Sequence, residues 1–80
     1  MVEVIWPQRL IDLMLDMPDR EREEIFHKTI LLESFPEMYP VRTSGRFRGH
    51  RCAVAGSWLI YYRFIEGKVY LRAIWPARIP

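Results

Sequence analysis

The chain has 80 residues, 50% of them apolar, a net charge of +2 at neutral pH and a single cysteine. That length fits one small domain and excludes tandem catalytic domains, a cofactor-binding α/β domain or a repeat array. No apolar run approaches the roughly 18 residues of a membrane span, Met1-Val2-Glu3-Val4 lacks the pattern of a secretory leader, and the lone Cys52 makes neither an internal disulfide nor a zinc quartet, so a cytoplasmic protein without metal or cofactor is expected.

Val2 to Trp6 is β-prone and is ended by Pro7. From Pro7 the pattern turns helical: Leu10, Leu13, Met14 and Met17 fall at i, i+3, i+4 and i+7, and Ile11 widens the stripe. Pro7 suits a first helical turn, and Pro18 breaks the helix. A second helix is expected from Pro18-Asp19 to about Ser34, with Asp19, Glu21, Glu23 and Glu24 near its positive end and Ile25, Phe26, Thr29 and Ile30 at helical spacing. Phe35 to Gly45, with Pro36 and Pro40, reads as a loop. Three strands follow: Arg46 to Val54, Trp58 to Ile65 and Lys68 to Trp75, separated by the turns Ala55-Gly56-Ser57 and Glu66-Gly67. Connections this short force antiparallel neighbours. The expected fold is α+β, ordered β-α-α-β-β-β: an antiparallel curved sheet with an N-terminal helical hairpin on one face.

Strand alternation sorts the side chains. Val69, Leu71, Ala73 and Trp75 share one face of the last strand, and Trp58, Ile60, Tyr62 and Phe64 with Val69, Leu71 and Ala73 are expected beneath the helices. Tyr61, Arg63, Lys68, Tyr70 and Arg72 are expected on the open face. Arg46, Arg48, His50, Cys52 and Val54 oppose Phe47, Gly49, Arg51 and Ala53. Charge is split along the chain. Residues 1–40 hold four basic residues against nine acidic ones, which is −5, and residues 41–80 hold eight basic residues against Glu66 alone, which is +7. Seven of those eight are arginine, whose planar fork suits phosphate and carboxylate. A half this basic points to a polyanion or an acidic protein surface, against the plainer reading of solvated strand faces.

The stretch His50-Arg51-Cys52-Ala53-Val54-Ala55-Gly56-Ser57-Trp58-Leu59-Ile60-Tyr61-Tyr62-Arg63 resembles the RelE/ParE superfamily of bacterial toxins. It has an Arg-bearing strand, a Gly turn, an aromatic, and an apolar run ending in Tyr-Arg. Glu66 to Ile74 fits the following hairpin, and Trp75-Pro76-Ala77-Arg78 sits where many members carry His-Gly-x-Arg. The resemblance implies one toxin domain over residues 1–80, of a type II toxin–antitoxin pair, neutralised by a cognate antitoxin protein. Members like RelE cut ribosome-bound mRNA without metal. Members like ParE poison DNA gyrase. The resemblance carries catalytic roles onto Arg51, Arg63 and Arg78. Three positions depart from the nuclease pattern: Leu59 stands where nucleases carry Arg, Trp75 replaces the usual His or Lys, and no C-terminal Tyr precedes the end at Pro80; the first and the last point toward the ParE side.

Cleavage through the ribose 2′-hydroxyl needs a base, cations on the phosphate and an acid for the leaving oxygen. His50 is a candidate base, since an imidazole exchanges a proton near neutral pH. Tyr61 joins it as a candidate catalytic residue. Arg46, Arg48, Lys68, Tyr70 and Arg72 are the candidate nucleic-acid ligands, with Tyr61 and Tyr70 able to stack bases. His27 and His50 lie on different elements, which argues against a metal site. Cys52 reads as a strand residue, not a nucleophile. Trp6, Trp58 and Trp75 read as core or partner-facing anchors, and Met14 and Met17 as core. Besides the nuclease reading, two others remain: a gyrase inhibitor with no catalytic site, and a non-toxic binding module of the same fold.

Overall fold

Two prolines set the helical boundaries. The computed structural model describes residues 1–77 and orders them β1 (Glu3–Ile5), α1 (Gln8–Leu15), α2 (Asp19–Ser34), β2 (Arg51–Ala55), β3 (Trp58–Ile65) and β4 (Lys68–Pro76). Pro7 and Pro18 stand at the two N-caps with extended backbone, and neither helix has a side-chain cap there. Asp19 and Glu21 fill the first turn of α2, where carboxylates face the positive end of the helix dipole. Phe35 closes α2 immediately before Pro36, which disfavours helical backbone in the residue before it. Among the described residues no helix is long and apolar enough to cross a membrane.

The four strands form one sheet in the order β1-β4-β3-β2. β2, β3 and β4 are antiparallel neighbours joined by two-residue turns. Glu66 and Gly67 both have positive φ (50° and 79°), as a type I′ hairpin turn requires. β1 is different: it lies parallel to β4, with Val4 opposite Val69. The sheet is therefore mixed, not antiparallel throughout. The short-turn rule applies only to the C-terminal meander, because β1 reaches the sheet through both helices and a long loop and no turn fixes its direction.

The strand expected over Arg46 to Val54 is shorter. Residues 46–49 form turns, Gly45 and Gly49 both take φ of 84°, and β2 begins at Arg51. Alternation therefore does not govern Arg46, Phe47, Arg48 or His50. Positive φ at both flanking glycines curls this segment out of the sheet, and Phe47 folds back onto the face away from the helices.

A β-bulge produces the second correction. Tyr61 registers with Ala73 but Tyr62 with Leu71, so Arg72 has no partner residue in β3. One extra residue reverses the parity of everything after it. Val69 and Leu71 face the helices as expected, but Ile74 joins them, while Ala73 and Trp75 turn to the opposite face. The main core is then Leu10, Met14 and Met17 with Ile25 and Leu32, packed on Ile60, Tyr62, Val69, Leu71 and Ile74. Ala53 and Ala55 under α2 let that helix approach β2 closely.

Candidate functional site

The face away from the helices carries a second, smaller cluster of Phe47, Tyr61 and Ala73, flanked by Cys52 and Leu59. Phe47 stacks on Tyr61 with centroids 3.9 Å apart and planes 12° from parallel. Trp75 meets Phe47 edge-on at 5.1 Å and Tyr61 at 6.1 Å. These contacts fix the three rings against one another. Two guanidinium groups lie over them. Arg42 is 5.8 Å from the Tyr61 centroid, and Arg46 is 5.0 Å from Trp75 and 5.9 Å from Phe47.

Beside this platform is a recess of about 260 Å³ lined by Arg9, Arg46, Phe47, His50, Arg72, Ala73 and Trp75. Three arginines and a histidine share it with aromatic walls, and among the described residues no carboxylate lines it. Among the described residues, none of Arg9, Arg46 and Arg72 has a carboxylate oxygen within 4.0 Å. Arg9 arrives from α1 in the acidic half of the chain. β1 covers β4 only from Lys68 to Tyr70, so the edge beyond Leu71 is open, and Arg9 Nη2 donates to the Arg72 carbonyl at 2.6 Å. Like charges gather here because that open edge leaves the Arg72 carbonyl to accept from Arg9 while the Arg72 side chain stays exposed. His50 Nδ1 lies 3.2 Å from the Arg48 carbonyl. A carbonyl only accepts, so in the neutral ring Nδ1 holds the hydrogen and Nε2 the lone pair.

The residues singled out from sequence are dispersed. His50, Arg46 and Arg72 come together in the recess. Arg63, Lys68 and Tyr70 lie further along the same face, where Arg63 registers with Tyr70, and Lys68 Nζ is 4.0 Å from Glu3 Oε1. Arg48 is exposed in the turn before β2. Arg51 and Tyr61 are not available to a ligand in this arrangement. Arg51 registers with Tyr62 and points to the helix side, donating to the Tyr39 carbonyl at 2.6 Å and the Glu37 carbonyl at 3.3 Å, with the Glu37 carboxylate at 3.6 Å. Tyr61 is 7% exposed beneath Phe47. Arg78 lies outside the described residues.

Burial raises the Cys52 thiol above its ordinary value, only partly offset by the Tyr61 hydroxyl and Arg42. A raised thiol is a poor nucleophile. Burial and the neighbouring Cys52 raise the Tyr61 hydroxyl too, against the pull of Arg42. Among the described residues no three His, Cys, Asp or Glu side chains cluster as metal ligands do.

Sequence reasoning missed Arg9, Arg42, Phe47 and the placement of Trp75. Arg9 carried no signal, since the charge split assigned its half to the acidic side. Period-two alternation groups Trp75 with Val69 and Leu71 because it cannot detect the bulge that turns Trp75 to the opposite face. No family model, curated protein or solved structure matches the chain.

Proposed function

We propose that the chain is a RelE/ParE-like toxin of a toxin–antitoxin pair, acting in the cytoplasm, whose helix-free sheet face binds RNA. One observation carries the reading: Arg9, Arg46 and Arg72 converge on a recess with His50 and, among the described residues, no lining carboxylate. Uncompensated guanidinium groups repel one another, and a bound polyanion removes that cost while supplying charge-assisted hydrogen bonds. On the nuclease reading, ribosome-bound mRNA lays a phosphate against these arginines. His50 Nε2 takes the 2′-hydroxyl proton, the freed oxygen attacks the phosphorus, and the leaving 5′-oxygen is protonated from solvent or from the imidazolium. Metal is not required by this route.

A second reading is favoured by how the catalytic candidates are dispersed. Arg51 is bound to backbone carbonyls and Tyr61 is buried, which leaves His50 the one acid–base candidate among the described residues of the recess. A toxin that binds DNA gyrase without a catalytic site, or a binding module without toxicity, needs only the basic face. Inducible expression separates the three. Growth arrest with new mRNA 5′ ends, lost in His50→Ala, is the expected result. Arrest with inhibited gyrase supercoiling and intact mRNA selects the gyrase reading, and unimpaired growth without an antitoxin selects the binding module.

A further inference from the structure

We infer that Trp75 is a stacking platform for one unpaired nucleobase, that Arg46 swings off its ring to admit the base, and that Arg9 and Arg72 hold the adjoining phosphate. This rests on the polyanion reading above and adds that the ligand is a single strand recognised through its bases. Trp75 is held edge-on by Phe47 and Tyr61 and is still 40% exposed, so a large ring is rigid on one side and open on the other. Arg46 covers that ring at 5.0 Å and has neither a hydrogen bond nor a carboxylate partner among the described residues. A guanidinium and a base compete for the same π face, so an untethered arginine is a replaceable cover. Arg9 spends one donor on the Arg72 carbonyl and keeps the rest of its fork for a ligand. A duplex keeps its bases inside the stack, which leaves an unpaired strand as the occupant.

The test measures binding of a labelled oligouridylate and of an abasic sugar–phosphate strand of the same length, at several salt concentrations. The wild-type chain is expected to bind the oligouridylate roughly tenfold more tightly than the abasic strand. Trp75→Leu should erase that difference and leave abasic binding unchanged, whereas Trp75→Phe should keep most of it. Arg9→Ala and Arg72→Ala should each lower the salt slope by about 0.7 for both strands. Tryptophan fluorescence of the wild-type chain should be quenched by the oligouridylate and not by the abasic strand, which reads the same contact should Trp75→Leu fail to fold. Equal wild-type affinity for the two strands, or a preference that survives in folded Trp75→Leu, overturns the platform and leaves the polyanion reading standing. Binding of neither strand overturns the reading beneath it.

Discussion

Tyr62 and Arg51 sit opposite each other on the helix side of the sheet, and together they hold the 36–40 loop. The Tyr62 hydroxyl donates to the Pro36 carbonyl at 2.9 Å, and Arg51 binds the Glu37 and Tyr39 carbonyls. Tyr62 is 0% exposed, and burial pushes its hydroxyl up to about 12, against the opposing pull of Arg51. A phenol is neutral when protonated, so a folded value above the unfolded value near 10 means the folded state holds its proton longer. The stabilisation is complete below pH 10 and is lost as pH rises toward 12. The loss amounts to roughly 2–3 kcal/mol across that window. Denaturant unfolding of wild type and Tyr62→Phe from pH 9 to 12 should show a stability difference that shrinks or reverses with pH. A constant difference would rule out this linkage. Arg51→Ala should cost about 2 kcal/mol and speed proteolysis in residues 36–40, because two backbone carbonyls lose a charged donor. Arg51→Lys should recover little of it, since an ammonium lacks the fork. Per folded molecule, Arg51→Ala should keep the activity of wild type, which separates a structural clamp from the catalytic role that the family resemblance carries to this position.

The bulge in β4 shows how far one element can be read from its letters. With Arg72 unpaired, Leu71 faces the helices, Ala73 and Trp75 face away, and Ile74 returns to the core. Deleting Arg72 places Ala73 directly after Leu71, and strict alternation then reproduces the observed faces. The deletion variant should therefore fold, with a change of about 1 kcal/mol or less on either side of wild type, checked by denaturant unfolding. Deleting Ile74 should instead unfold the domain, since it moves Trp75 toward the core and removes a side chain that is 4% exposed. The same contrast explains what was legible in the sequence. Both helices, the two hairpin turns and the inward set of β3 follow from local rules: prolines at caps, glycines with positive φ, and period-two alternation. The parallel placement of β1, the turns at 46–49 and the bulge depend on contacts distant in sequence, and no local pattern encodes them. The recess inherits that division. Arg46, His50 and Arg72 were legible as basic residues of one half. Arg9 and Trp75 were hidden because the docking of α1 against the β4 edge and a bulge, both tertiary features, bring them there.

At the scale of the whole molecule, the two charge blocks of the sequence become two sides. Asp16, Asp19 and Glu23 are exposed on the helical side, while Arg42, Arg46, Arg63 and Arg72 are exposed around the opposite sheet face. A molecule polarised in this way orients a polyanion before contact and keeps it off the helices, although its net charge is only +2. Exposed arginines without carboxylate partners contribute little to folding, so removing them should leave stability within about 0.5 kcal/mol of wild type. Binding should respond very differently. Arg9→Ala combined with Arg72→Ala should lower the oligouridylate salt slope by about 1.4, the sum of two released counterion contacts on a single strand. Asp16→Asn combined with Glu23→Gln should leave that slope unchanged, because neither carboxylate lines the recess. In cells, the double arginine variant should accumulate to wild-type levels and, on the proposed toxin reading, lose growth inhibition. Arg51→Ala, by contrast, should lose activity only as its abundance falls. A double arginine variant that is abundant and still arrests growth would detach any toxicity from this face, and a salt slope equally sensitive to both pairs would mean that the polarity of the molecule does not direct binding.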